Sequence, residues 1–327
     1  MRGPERPAYP GAVSESRLGI EFSSLDQPLF DGAGVDKRAL VDYLDAVHDR
    51  LVPVLRDRPL SVIRSTGKQR PFMQKNLPKY TPDWVERVTM WAEASHRDVS
   101  YALCNDHRTL LWFANQRAVE YHATLGLAGR LDHPTHMVLD LDPPTGDGFP
   151  AAVAAARLVR GALDDAGLSG AVKTSGAKGV HVFVPLADGV DAEEAAAATR
   201  AIARRAELID PDVATTAFLK ADRGGKVFVD ATRTGGATMV AAYSPRARPG
   251  VTVSYPVSWD ELDDVRPADF TITNVPSLLD GRDPWDDEMP AAQTLPADLV
   301  AEGREIPVAR VAAMHEGKRR RRQAAKD

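Results

Sequence analysis

The chain has 327 residues, of which 43% are hydrophobic and 27% charged, a make-up that provides for one or two cores and excludes collagen-like, fibrous and wholly disordered proteins. No run approaches the ~18 to 20 consecutive apolar residues of a membrane span, and Met1-Arg2-Gly3-Pro4-Glu5-Arg6 precedes no apolar signal core, so a cytoplasmic protein without a membrane partner is expected. Cys104 is the single cysteine, which excludes disulfide frameworks and cysteine-based zinc sites; any metal has to be held by oxygen or imidazole.

The net charge of −5 hides an uneven distribution. Residues 318–327 carry six basic groups and one acid, the window from Arg56 to Lys79 holds seven positive side chains opposed only by Asp57, and Trp259 to Pro290 holds ten acids and two arginines. An anionic polymer met locally by the window and the tail accounts for this pattern, and so does an ordinary solvated surface.

In chain order, residues 1–24 are rich in Pro, Gly and Ser without periodicity and predict a loose N-terminal arm. Leu40, Val41, Tyr43, Leu44, Val47, Leu51 and Val54 predict one helix from Asp36, with Pro53 near its end. Leu60–Ile63, Tyr101–Leu103 and Leu110–Phe113 are short apolar runs between charged turns, as in a mixed, partly β N-terminal subdomain over residues 25–135. His136–Asp142 reads as a strand stopped by Pro143 and Pro144. A helix over Phe149–Ala166, strands over Ala171–Thr174 and Val180–Val184, a helix from Asp191 to Glu207 opened by the Asp191/Glu194 capping box, and a strand over Lys226–Asp230 follow within residues 136–290. The order β-α-β-β-α-β predicts an α/β (α+β) fold: a split βαβ, RRM-like core with an antiparallel sheet, both helices on one face, and the N-terminal subdomain packed beside it. Residues 291–327 are expected to be a C-terminal extension with a basic tail.

That topology makes the first strand central, between the third and the fourth. Asp140 and Asp142 then share one face while Leu139 and Leu141 turn to the helices; Asp230 joins them from the fourth strand and His181 from the third. Carboxylates so close repel one another unless cations intervene. Oxygen donors suit magnesium or manganese, and two such ions about 3.5 to 4 Å apart serve in-line displacement at phosphorus. Lys173–His181, between two strands, reads as a phosphate cradle: Gly176 and Gly179 permit close backbone approach, and Ser175, Lys178 and His181 supply a hydroxyl, a charge and a ring nitrogen. A hairpin turn with a surface lysine is the plain alternative for this segment, and an edge-strand polar pair the plain alternative for the two aspartates. Phosphatases of the haloacid dehalogenase type carry D-x-D on a parallel sheet and are opposed by Pro144 at the fifth position. Nucleotide-sugar glycosyltransferases use D-x-D for one metal, usually in a parallel α/β domain, and neither class explains Ser175–His181.

These residues resemble the archaeo-eukaryotic primase superfamily, and most of all the polymerase domain of bacterial ligase D. Leu139-Asp140-Leu141-Asp142-Pro143, then Lys173-Thr174-Ser175-Gly176 with Gly179 and His181, then Val227-Phe228-Val229-Asp230 look like its three catalytic motifs. The likeness runs over roughly residues 20–290 and includes Pro71–Lys75, Pro82–Val85, Tyr243–Arg248 and Asp283–Trp285. It implies template-dependent nucleotidyl transfer, preferring ribonucleotides, at short DNA gaps during repair, in a cytoplasmic, nucleoid-associated protein. On this resemblance Asp140, Asp142 and Asp230 are the catalytic triad that binds two manganese or magnesium ions. His122, Ser175, Lys178, His181 and Arg233 match triphosphate contacts, and Arg246 and Arg248 match a basic pair near nucleotide and primer. Phe72 matches an aromatic that stacks on template bases, with Met73 where a second aromatic is common. Lys37 fits the second of two lysines that grip a 5′-phosphate, and Gln27 stands where the first would be. Lys68, Arg70, Phe72, Lys75 and Lys79 interleave cations with an aromatic, as in a nucleic-acid groove, and Arg64 is assigned to it with them.

The implied partners are primer-template or gapped DNA, nucleoside triphosphates, a separate ATP-dependent DNA ligase and an end-binding protein. The short stretch after Trp285 holds no ligase or nuclease domain, so the chain looks like a stand-alone actinobacterial primase-polymerase C. An end-joining polymerase at double-strand breaks and a non-catalytic nucleic-acid-binding module are the alternatives.

Overall fold

Two six-stranded sheets share one continuous apolar core, and the computed structural model describes residues 15–65, 70–92, 96–144 and 148–308. The first half contains the short hairpin β1 (Ser16–Arg17) and β2 (Ile20–Glu21), helices α1 (Lys37–Ala46) and α2 (His48–Leu55), and strands β3 (Leu60–Arg64), β4 (Phe72–Gln74), β5 (Arg87–Ala92) and β6 (Arg97–Ala102). Helix α3 (His107–Asn115), strand β7 (Ala118–Thr124) and the hairpin β8 (Gly126–Leu127) and β9 (Arg130–Pro134) complete it. Residues 15–24 do not behave as the loose arm expected of them: Ile20 and Phe22 are buried, and Arg17 pairs with Asp45 at 2.8 Å. Residues 1–14 of that segment lie outside the described residues.

The helix expected from Asp36 is two helices. Asp36 caps α1 by accepting the Ala39 N–H at 2.9 Å, but Val47 leaves helical geometry at φ −107°, where His48 Nδ1 takes up the Asp45 carbonyl at 2.7 Å. The run Leu110–Phe113 is helical, inside α3, because Asp106 caps that helix through the Thr109 N–H at 2.7 Å.

The second half holds β10 (His136–Asp142), α4 (Phe149–Asp165), β11 (Ala171–Thr174), β12 (Val180–Pro185), α5 (Ala192–Ile209), β13 (Ala214–Thr215), β14 (Val227–Asp230), β15 (Thr238–Val240) and β16 (Pro256–Val257). The Asp191/Glu194 capping box opens α5 with both reciprocal bonds formed. The order β-α-β-β-α-β is the one expected, and β10 lies between β12 and β14, antiparallel to both. Two short strands extend the sheet to β13-β14-β10-β12-β11-β16. Leu139, Leu141, Val227 and Val229 are buried in the main core, the alternation predicted for the helix side.

The division at residue 135 is crossed by the chain. After β14 the chain leaves the β10 sheet, and β15 pairs with β7, giving the order β15-β7-β3-β6-β5 with β4 on β3. Val240 thereby stands opposite His122, and Tyr43 donates to the Tyr243 carbonyl at 2.7 Å. Among the described residues no helix is long and apolar enough to cross a membrane.

Candidate active site

Strand register builds the centre of the site. Asp140 is directly opposite Asp230 on one side and His181 on the other, and His181 is opposite Lys173, so Asp230, Asp140, His181 and Lys173 form a row across four adjacent strands. Paired residues share a sheet face, and Asp142, two residues along β10, shares it too. Three of the four ionisable groups were anticipated from alternation; Lys173, fully buried, was not assigned a role.

Arg233 ties the row together, its Nε 3.1 Å from Asp140 Oδ2 and 3.2 Å from Asp230 Oδ2. Asp230 Oδ1 accepts from the Thr232 backbone N–H at 2.8 Å and its hydroxyl at 2.6 Å. His181 Nε2 lies 3.3 Å from Asp140 Oδ1. Burial would raise the Asp140 carboxyl, but His181, Arg233 and Lys173 outweigh it and hold it below the usual carboxylate range. Asp142 goes the other way: burial, then the charges of Asp140 and Asp230, raise it despite Arg233.

Asp142 thus carries negative charge that the protein leaves undercompensated. Among the described residues no three His, Cys, Asp or Glu side chains form a ready metal cage. The Arg233 guanidinium bridges Asp140 and Asp230 instead, a protein cation on the carboxylate oxygens that divalent ions would share. The all-oxygen donor set and the repulsion felt by Asp142 fit hard divalent ions.

The turn between β11 and β12 has a different internal logic from a bare phosphate loop. Gly176 adopts φ +67°, and a Cβ there would meet Arg246 Cγ at 2.7 Å and the Ser254 nitrogen at 2.8 Å. A Cβ on Gly179 would stand 2.4 Å from the Leu141 carbonyl oxygen. These glycines therefore admit neighbouring protein, which brings the turn against the D-x-D strand. Ser175 Oγ accepts the N–H groups of Ala177 and Gly179 at 3.1 and 3.0 Å, keeping its own hydrogen to donate. Lys178 reaches over Pro143 and Pro144, donating to their carbonyls at 3.0 and 3.3 Å.

From the second sheet come His122 and, two residues before it on β7, the buried Glu120. His122 Nε2 is 2.8 Å from Glu120 Oε2, Arg246 Nε is 3.2 Å from the same oxygen, and the Ala247 N–H donates to Oε1 at 2.8 Å. Arg246 also donates to the Ser175 carbonyl. Glu120, absent from the sequence reading, holds two of the expected nucleotide contacts, His122 and Arg246; its i, i+2 spacing from His122 on a strand was the available signal. Arg248 is exposed and does not line the cleft.

Two cavities both reach Arg233. One, of ≈220 Å³, is lined by His122, Asp140, Asp142, Ser175, Lys178, His181, Arg233 and Arg246. The other, of ≈600 Å³, is lined by Asp230 and Arg233 together with Arg200, Arg204, Phe218, Phe228 and the chain at Ile306–Val308.

Farther out, Arg64 donates to Gln74 Oε1 at 2.7 Å and to Tyr80 Oη at 3.1 Å and lies 5.9 Å from the centre of the Phe72 ring. Phe72, Met73 and Tyr80 are 42%, 47% and 61% exposed, so Tyr80 offers an aromatic surface near Phe72 that Met73 lacks. Arg70, Lys75 and Lys79 are exposed beside them; Lys68 lies outside the described residues. Lys37 is buried, its Nζ donating to the Ser23 carbonyl at 2.7 Å and Asn115 Oδ1 at 2.6 Å, and burial, then the charge of Arg117, lowers it to about 8. Exposed Gln27 accepts from Arg117 Nη2 at 2.9 Å, so a guanidinium stands next to the position where a lysine was missing.

A family model described as "LigD, primase-polymerase domain" matches residues 36–285. The chain is 34% identical over 261 residues to the bifunctional non-homologous end joining protein LigD of Bacillus subtilis, covering 78% of this chain and 42% of that protein. It is 34% identical over 268 residues to the multifunctional non-homologous end joining DNA repair protein LigD of Mycobacterium tuberculosis, covering 78% and 34%. The chain thus spans less than half the length of these relatives. The solved polymerase domain from Mycobacterium tuberculosis ligase D, in complex with DNA, superposes with a TM-score of 0.75 at 30% identity, over 83% of this chain and 99% of that one.

Proposed function

This chain belongs to the LigD primase-polymerase family, and from that premise we propose that it is a DNA-directed nucleotidyltransferase that extends a primer 3′-hydroxyl, preferentially with ribonucleotides, at short gaps during repair. The observation that carries this reading is the strand register that sets Asp230 opposite Asp140, with Asp142 on the same face and cavities that both reach Arg233, since nucleotidyl transfer must bring two substrates to one set of carboxylates. The smaller cavity is assigned to the triphosphate and the larger to the hydroxyl-bearing strand.

In the smaller cavity, Ser175 donates its free hydroxyl hydrogen to the triphosphate, with Lys178, His181, His122 and Arg246 around it. Manganese or magnesium ions held by Asp140, Asp142 and Asp230 would, when bound, acidify the attacking hydroxyl and neutralise the departing pyrophosphate. Arg233 releases Asp140 and Asp230 and turns to the phosphates, which replace the carboxylates as its partners. The 3′-oxygen forms its bond to the α-phosphorus as the bond from that phosphorus to the bridging oxygen breaks, and the hydroxyl proton leaves to solvent. Phe72, Tyr80, Arg64, Arg70 and Lys75 hold the template.

The test is gap filling by the full chain with manganese and labelled ribonucleotide or deoxyribonucleotide, with and without a 5′-phosphate downstream. Incorporation favouring ribonucleotide and stimulated by the phosphate is expected; no incorporation on any primed DNA rejects the polymerase reading. Arg117, held by Gln27, should supply the charge for that phosphate, so Arg117→Ala should remove roughly 10-fold of the stimulation. The printed names of the relatives favour a second reading, extension at broken ends in end joining with an end-binding protein and a ligase activity. Better extension of 3′-overhanging ends than of gaps would select it.

The basic tail gives a further expected result. Deleting residues 318–327, with six basic groups, should make the logarithmic salt dependence of DNA binding shallower by roughly 1 to 4, each phosphate contact contributing about 0.7 to 0.9. An unchanged slope in a binding titration would limit the tail to solubility.

A further inference from the structure

Lys173 is fully buried at the end of the carboxylate row, on β11, and among the described residues it has no ion pair with an acidic side chain. Its Nζ is 2.9 Å from His181 Nδ1 and 2.5 Å from Ser254 Oγ, and the face of the Phe183 ring lies 5.5 Å away. A buried amine is costly, and these contacts offset part of that cost.

Hydrogen accounting assigns each bond a direction. The Ser254 hydroxyl donates to the Thr174 carbonyl at 2.9 Å, so its oxygen accepts from Lys173. On the far side of the imidazole, Nε2 faces a carboxylate oxygen of Asp140 at 3.3 Å, an attractive contact only if the ring hydrogen is on Nε2. Nδ1 is then bare and takes its hydrogen bond from Lys173. A hydrogen bond donated by Lys173 and the Asp140 contact are thus satisfied by the same tautomer from opposite edges of the ring.

We propose that Lys173 is a positioning residue that locks His181 in the Nε2–H tautomer, so that the ring always presents a donor to the cleft. This rests on the nucleotidyltransferase reading for its purpose: the donor is kept for a triphosphate oxygen, with no need for a charged imidazole. It explains why a lysine occupies an interior strand position, one ring away from the Asp140 carboxylate. His122, which lines the same cleft, contrasts with it, being fixed through Nε2 by the carboxylate of Glu120. Two histidines facing one cleft are thereby held through different ring nitrogens by partners of opposite type.

The test is nitrogen NMR of the full chain labelled in histidine, the His181 signals being identified by their loss in His181→Gln. The expected wild-type pattern is a protonated Nε2 and a bare Nδ1, read without nucleotide. Lys173→Met should shift His181 toward a mixture of tautomers and raise KM for nucleoside triphosphate with manganese about 10-fold, while kcat stays within about 3-fold. A hydrogen on Nδ1 in the wild type, or an unchanged His181 pattern in Lys173→Met, overturns the proposal. If Lys173→Met does not fold, the wild-type spectrum alone decides. The locked tautomer in a protein that transfers no nucleotide supports the assignment and counts against the polymerase reading, so the two failures are distinguishable.

Discussion

Replacing Asp142 by Asn should raise the melting temperature of the metal-free protein while abolishing nucleotidyl transfer, whereas Asp140→Asn should abolish transfer and lower the melting temperature. The opposite signs follow from opposite pKa shifts. Asp142 is raised by burial and by Asp140 and Asp230, so its ionised form is disfavoured in the folded state and costs stability above its folded pKa; removing the charge removes that cost. Asp140 is lowered because His181, Arg233 and Lys173 outweigh its burial, so its charge contributes stability that is present above its unfolded pKa and lost as pH falls through the folded one. A change of about 1 kcal/mol moves the midpoint of a domain this size by ~2–4 °C, within reach of calorimetry. Manganese should raise the wild-type midpoint and leave Asp142→Asn nearly unmoved. Loss of transfer should exceed about 1,000-fold in either variant, since the carboxylates both position and neutralise. A stabilised Asp142→Asn enzyme that still extends primers would remove the carboxylates from the chemistry.

Gly179→Ala should be nearly as damaging without touching any group that meets substrate. The added methyl would lie 2.4 Å from the Leu141 carbonyl, and Leu141 stands between Asp140 and Asp142 on β10. Relief requires the turn and the D-x-D strand to part, which should cost ~1–3 kcal/mol of stability. A displacement approaching 1 Å at the carboxylates should lower extension about 100-fold. Gly161→Ala provides the comparison: inside α4 its Cβ would make an ordinary 3.9 Å contact with Ile209, so a gain of ~0.5–1 kcal/mol with unchanged extension is expected. Denaturant melts and steady-state extension on the two variants decide the matter; wild-type behaviour of Gly179→Ala would show that the approach is slack.

The D-x-D strand, the capping box of α5 and the convergence of Asp140, Asp142, Asp230 and His181 were legible because each depends on a short-range rule: alternation along a strand, or a three-residue cap. The partners of those groups were not. Lys173 entered the sequence reading only as the first residue of the cradle segment, and the register β10-β12-β11 is what shows it buried behind His181. Arg117 approaches Gln27 across 90 positions of chain, and Glu120 meets Arg246 across more than a hundred. The run Leu110–Phe113 was ambiguous because four apolar residues fit strand and buried helix alike; Asp106 was the cap that distinguishes them. Of the basic pair that the resemblance matched near nucleotide and primer, Arg246 lines the cleft and Arg248 faces solvent.

The passage of β15 into the opposite sheet has a mechanical meaning. Only seven residues separate Asp230 from Thr238, the first residue of β15, so the wall bearing the carboxylates and the wall bearing His122 are stitched to each other immediately beside the reaction centre. A jaw-like opening there would tear the β7–β15 ladder. The side-chain tips of Arg233 and Lys178, resting on Asp140, Asp230 and the carbonyls of Pro143 and Pro144, can swing without breaking that ladder, so freedom of movement at this junction belongs to side chains and not to the two walls.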